Sequence, residues 1–174
     1  MERRALALAL LLSACGYRFS VGEAVLPEGI EAAYVPVFEN RSGEPEAGAI
    51  FAEALAHALA RSGRAAGPSA PARIEGEVVS LIASPVATQS DGRGVGVYRL
   101  RARIRLRLVR DGALLCSREM EDGEDYLPSR TLLELDASRR QAVRRLASRM
   151  MDRAVGVLAT GCRPPSQPPL ARAG

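Results

Sequence analysis

Val97-Tyr98-Arg99-Leu100-Arg101-Ala102-Arg103-Ile104-Arg105-Leu106-Arg107-Leu108-Val109 is the stretch that decides the fold. Apolar residues alternate with arginine at period two, which is the pattern of a strand with one buried and one basic face. Asp111-Gly112 then turns the chain into a second alternating run, residues 114–121. A three-residue loop, 111–113, sets Arg105 opposite Glu119 and Arg103 opposite Glu121. The same register pairs Ile104 with Met120 and Leu108 with Cys116 on the inner face. A two-residue loop would put Ile104 against Glu119, so the longer loop is expected.

Upstream, residues 74–82 read as a strand ended by Ser84-Pro85. The polar, glycine-rich stretch 89–94 follows as a hairpin tip or a mobile segment. Gly92, Gly94 and Gly96 do not match a dinucleotide fingerprint, because the spacing is wrong and a strand follows. Residues 61–73 are a loop rich in Ala, Gly, Ser and Pro. In residues 46–62, Ile50, Phe51, Ala54, Leu55, Ala58 and Leu59 recur at helical steps, giving an amphipathic helix with His57 off its apolar face. Residues 30–38 supply the β-formers of a first strand, 39–43 a loop, and Ser42 or Glu44 with Pro45 a helix start. After the second alternating run, 124–128 is a connection and 132–159 a long helix. Its inward positions are Leu135, Ala142, Val143, Leu146, Met150, Ala154 and Leu158, and Gly161 is the expected cap. The order β-α-β-β-β-α predicts an α+β fold, a four-stranded, mostly antiparallel sheet with both helices packed on one face.

The chain has 174 residues, 47% of them hydrophobic and 25% charged, which fits one globular domain. All 24 basic residues are arginine, and the single His starves any His-based catalytic or metal site. No nucleophile-base pairing or Gly-rich loop entering a helix is present, so an enzyme and a metal centre are not expected. The acidic group Asp122, Glu124 and Asp125 reads as turn solvation more readily than as a cation site. Arg99, Arg101, Arg103, Arg105 and Arg107 would line about 27 Å of one sheet face. Guanidinium groups suit phosphate, because their planar fork matches two oxygens. With Glu119 and Glu121 neutralising two of them, a net positive patch is expected. Arg93 at the tip, and Arg139 with Arg140 on the last helix, are further candidates. The competing reading is a solvated outer face in an arginine-rich chain. Nucleic acid is not expected as a partner, since the chain offers no aromatic platform and an exported context argues against it.

That context comes from the N-terminus. Met-Glu-Arg-Arg, an apolar run over residues 5–12, and Ser13-Ala14-Cys15 describe an export signal too short to span a bilayer. Leu12-Ser13-Ala14-Cys15 resembles the lipobox of bacterial lipoproteins. The resemblance implies cleavage before Cys15, with S-diacylglycerol and N-acyl groups on that residue and no other cofactor. Three acyl chains would hold the protein on a membrane permanently. Gly16, where Asp would mean inner-membrane retention, points to the periplasmic side of the outer membrane. Losing one Glu and two Arg with the signal takes the net charge from +4 to +3. The expected organisation is a signal peptide (1–14), a lipidated tether (15–29), one α+β domain (30–161) and a Pro-rich disordered tail (162–174). Cys116 and Cys162 are left to pair or not in an oxidising compartment.

Cys15-Gly16-Tyr17 after the lipobox, Leu26-Pro27-Glu28-Gly29-Ile30, Val35-Pro36-Val37-Phe38-Glu39-Asn40, Val97-Tyr98-Arg99-Leu100 and the closing helix together resemble the lipopolysaccharide-assembly lipoprotein family, LptE. The resemblance spans nearly all of residues 15–160. It implies a plug inside the outer-membrane lipopolysaccharide translocon, a large LptD-like β-barrel. Such a plug helps the barrel assemble and binds lipopolysaccharide during insertion in the outer leaflet. The arginine row, and Arg93, would then meet lipid A phosphates. Phe38-Glu39-Asn40-Arg41-Ser42-Gly43 before an amphipathic helix is also similar to lipoproteins that activate peptidoglycan synthases and to the curli-secretion group, which dock on protein partners.

Overall fold

In the computed structural model, residues 26–88, 95–128 and 131–161 are described. The sheet contains β1 (Glu39–Asn40), β2 (Ala72–Thr88), β3 (Val95–Arg110) and β4 (Ala113–Tyr126), in that spatial order. β1 runs parallel to β2, and the other pairs are antiparallel. Helices α1 (Ala47–Arg61) and α2 (Leu132–Gly161) lie together over one face. The expected α+β class, element order and helix placement are therefore what the chain adopts.

The alternation in β3 governs the core. Leu100, Ala102, Ile104, Leu106 and Leu108 are all buried, as are Ile74 and Val78 beside them on β2. Phe51, Leu55 and Leu59 of α1 and Leu146, Met150, Ala154 and Leu158 of α2 close over them. Each of the Leu, Ile, Val, Phe and Met side chains among them contributes about 1.5–3 kcal/mol by leaving water, and the alanines less. Arg61 of α1 and Asp152 of α2 form an ion pair across the helices.

Several boundaries differ from expectation, each for a local reason. β3 and β4 keep the expected register, with Arg103 opposite Glu121, Ile104 opposite Met120, Arg105 opposite Glu119 and Leu108 opposite Cys116. The loop, however, has two residues, Asp111 (φ 49°) and Gly112 (φ 82°). Positive φ at both central positions is what a type I′ turn demands, and Asp-Gly supplies it. A bulge at Leu115 then restores the inward alternation. The expected first strand, 30–38, makes only bridges at Ile30, Ala33 and Tyr34, while regular pairing falls on Glu39 and Asn40. Those two residues were expected in a loop. Asn40 also shapes the entry to α1: its Oδ1 accepts from Ser42 N–H (3.0 Å) and Oγ–H (2.7 Å), and its Nδ2 donates to the Glu44 carbonyl (2.7 Å). β2 continues six residues beyond Ile82, and β4 continues through the expected connection to Tyr126, whose ring stacks on Tyr98 at 5.5 Å.

Leu26, expected in the tether, is a core residue at 1% exposure. The signal, Cys15, the rest of the tether to residue 25, Arg93 and the tail lie outside the described residues. Cys116 is disulfide-bonded, and both other cysteines, Cys15 and Cys162, are outside the described residues as well.

Candidate functional site

The face of the sheet away from the helices carries the arginine row. Arg99, Arg101, Arg103, Arg105 and Arg107 all project from it, as the alternation requires. β4 sets Glu119, Glu121 and Asp125 beside them, and β2 adds Glu75 and Glu77. Arg105 reaches Glu77 at 2.7 Å and Glu119 at 3.0 Å. Arg103 reaches Glu121 at 3.4 Å, and Arg107 reaches Glu75 at 3.4 Å. Arg99 grips Asp125 with two hydrogen bonds, 2.6 and 2.7 Å. That hydrogen bond, with the opposite charge, holds the Asp125 carboxyl below its ordinary range and raises Arg99. Glu77 is 7% exposed and also meets Arg41 at 2.8 Å.

The five arginines of the row thus share five carboxylates, two of which, Glu75 and Glu77, also hold Arg73 and Arg41, so most of the expected positive charge is cancelled. The sequence reading missed Glu75 and Glu77, although Arg73-Ile74-Glu75-Gly76-Glu77-Val78 alternates and so puts both glutamates outward. Exposed ion pairs of this kind contribute only about 0–1 kcal/mol each. Their main effect here is to cancel charge.

Arg101 is the exception. Its neighbours across the two ladders are Ile82 on β2 and Gly123 on β4, and it has no ion pair among the described residues. A Cβ at Gly123 would lie 3.7 Å from Arg101 Cγ and 3.2 Å from the Leu100 carbonyl oxygen, so the arginine stem rests on the bare glycine. The result is an open cleft of about 800 Å³ that wraps the β4 edge and is lined by Arg99, Arg101 and Arg149 together with the acids Glu121, Asp122, Glu124 and Asp125 around Gly123. The bulge at Val79 is the cause on the other side. It shifts β2 by one residue, so the outward positions change from Glu75 and Glu77 to Ser80, Ile82 and Ser84. Among the described residues, Arg101 is the arginine of this row whose fork meets no carboxylate, and an anion arriving at this face finds it there.

The acidic group expected as turn solvation has another job. Asp122 and Glu124 point to the helix side of β4 and receive Arg145, Arg149 and Arg153 of α2. Arg149 bonds Glu124 (2.6 Å) and the Gly123 carbonyl (2.7 Å), while Arg153 meets Asp122 at 2.9 Å. Burial pushes both carboxyls upward, but for Asp122 the Gly123 N–H donated to its Oδ1 (2.7 Å), and for both the hydrogen bonds and charge of these arginines, outweigh it, and both end below their ordinary range. A depressed carboxyl contributes stability that is full above its unfolded value, about 3.9 for Asp and 4.3 for Glu. It is lost as pH falls through the folded value. Stability should therefore be flat from pH 7 to 5 and decline below about pH 4. An Asp122→Asn, Glu124→Gln double variant should be less stable at pH 7 by about 1–2 kcal/mol, with a weaker acid dependence. Chemical denaturation across pH measures both, and an unchanged acid limb would remove this clamp from the account.

The other candidates are occupied. Arg139 binds Glu44 at 2.8 Å, Arg140 binds Asp136 at 3.0 Å, and His57 is exposed beside Glu53. Among the described residues no cluster of His, Cys, Asp or Glu could hold a metal ion, and no helix is long and apolar enough to cross a membrane.

The architecture, a four-stranded sheet with two helices on one face, is a fold found in bacterial lipoproteins. A putative lipoprotein from Caulobacter crescentus is similar at TM-score 0.53 and 22% identity, over 71% of this chain and 89% of that one. Rare lipoprotein B from Shewanella oneidensis is similar at 0.52 and 18%, over 70% and 92%. A minor lipoprotein from Acinetobacter baumannii is similar at 0.51 and 11%, over 80% and 98%. No curated protein matches in sequence. The model of the LptE family, described as lipopolysaccharide-assembly, matches residues 30–155. The chain belongs to that family.

Proposed function

We propose that this protein is an outer-membrane lipoprotein, held on the periplasmic side through acylated Cys15, that plugs and helps assemble the lipopolysaccharide translocon barrel. It has no catalytic role in this reading; it binds lipopolysaccharide through the arginine face while the glycolipid passes to the outer leaflet. The family match over residues 30–155 carries the proposal. The bare sheet face supports it physically, because the lumen of a large barrel is polar and a plug must meet it with satisfied polar groups. The balanced ladder of Arg99, Arg103, Arg105 and Arg107 suits that surface. Arg101, with its free fork, is the first candidate for a phosphate of lipid A.

A C-terminally tagged chain extracted in mild detergent should bring down one large β-barrel protein in stoichiometric amount. Recovery of a peptidoglycan synthase or a secretion component instead would move the function to the docking class. For the ligand, Arg101→Gln should weaken lipopolysaccharide binding about tenfold at low salt, the scale of one charge-assisted hydrogen bond partly open to water. Arg107→Gln should change it less than about twofold, because Glu75 already occupies that guanidinium. Equal effects of the two substitutions in a binding titration would mean that the free fork is not the contact.

A further inference from the structure

β2 outlasts its neighbour. β1 pairs with it only at Glu77 and Val78, and the last contact is the Arg41 N–H donating to the Val78 carbonyl at 3.0 Å. Past the bulge at Val79, residues 80–84 pair with β3 alone among the described residues. A strand paired on one side turns alternate N–H and C=O groups to the open side. Ser80-Leu81-Ile82-Ala83-Ser84 contains no charge. The opposite edge of the sheet, β4, carries Arg118, Glu119, Glu121, Asp122, Glu124 and Asp125, the kind of charge that keeps an edge from pairing. Pro85, which has no N–H, and a second bulge at Val86 end the uncharged window.

We propose that this window receives an extended segment of a partner protein by strand addition, and that the segment alternates small apolar with acidic residues. On the helix side it would lie beside Leu81, which is buried, and Ala83, which is half-buried, so the inward residues must be apolar. On the other side it would lie beside Ser80, Ile82 and Ser84, with Arg103, Arg101 and Arg99 one strand further in. Arg101, level with Ile82, has no carboxylate partner among the described residues, and its charge favours acids on the outward positions of the added strand. A second copy pairing through this same window would bring only uncharged residues to it. Main-chain hydrogen bonds give such a complex its affinity, and the alternate side chains its choice of partner.

The test uses the full lipidated chain in mild detergent, with a blocked octapeptide alternating Val and Glu as probe. Amide hydrogen exchange at those amides of residues 80–84 that face away from β3 should be fast in the free protein and slow at least about tenfold with the peptide. The same peptide N-methylated at alternate amides should give no protection. Arg101→Gln should weaken the Val-Glu peptide about tenfold without abolishing binding. Three results overturn the proposal. The window amides could be as protected as those of β3 before any addition, which would mean the chain covers its own edge. Protection could rise with protein concentration alone, which would identify a second copy as the occupant. A Val-Lys peptide could protect as well as Val-Glu, which would remove the acidic partner.

Discussion

Gly48→Ala is expected to lower stability by about 3 kcal/mol, a larger change than any surface substitution discussed above. Gly48 lies in the first turn of α1, where a Cβ would stand 2.4 Å from the Phe38 carbonyl oxygen. That oxygen is backbone, so the helix or the strand must move. Phe38 is clasped from the other side too, since a Cβ on Gly76 would meet its ring at 2.4–2.5 Å. The two glycines let α1, the β1 segment and β2 approach more closely than any side chain permits, and Phe38 is 3% exposed between them. Gly156 in α2 is the control. Nothing lies within 4 Å of its Cβ position, so Gly156→Ala should stabilise the helix by about 0.5–1 kcal/mol. Urea unfolding of the two variants measures the contrast. A Gly48→Ala protein within 0.5 kcal/mol of the parent would show that the close approach has no energetic weight.

Cys15→Ala is expected to abolish membrane anchoring. One acyl chain binds a bilayer only marginally, whereas several together, at about 0.8 kcal/mol per buried methylene, do not let go. The described residues offer no apolar helix to take their place. Fractionation should find the variant in the soluble fraction or as an uncleaved precursor, and labelled fatty acid should not be incorporated. Full recovery in outer membranes would refute acylation at this residue.

The sequence carried the sheet because its signal there is local and redundant. Alternation in β3 assigns every residue to a face, and only one register of the following strand agrees with it. What it could not show were the places where a residue is skipped. The bulge at Leu115 let an Asp-Gly turn and the correct register coexist, and the bulge at Val79 moved the acids of β2 away from Arg101. A bulge leaves no mark in periodicity beyond a break that also reads as a strand end. Residues 30–38 illustrate a second limit. Tyr34, Val35, Val37 and Phe38 have strand propensity, but propensity does not say which backbone groups find partners. The clamp of Asp122 and Glu124 was hidden for a third reason: Glu121-Asp122-Gly123-Glu124-Asp125 looks like a turn until a long helix lays three arginines across it.

β1 runs parallel to β2, and that order has a cost in time. Glu39 precedes its partner Glu77 by 38 residues, whereas β3 meets β4 across a two-residue turn. Closing that crossover is slower than zipping the β3–β4 hairpin, because the longer loop loses more entropy before any contact rewards it. The β1 segment is therefore expected to join the sheet after the hairpin, with Phe38 uncovered until it does.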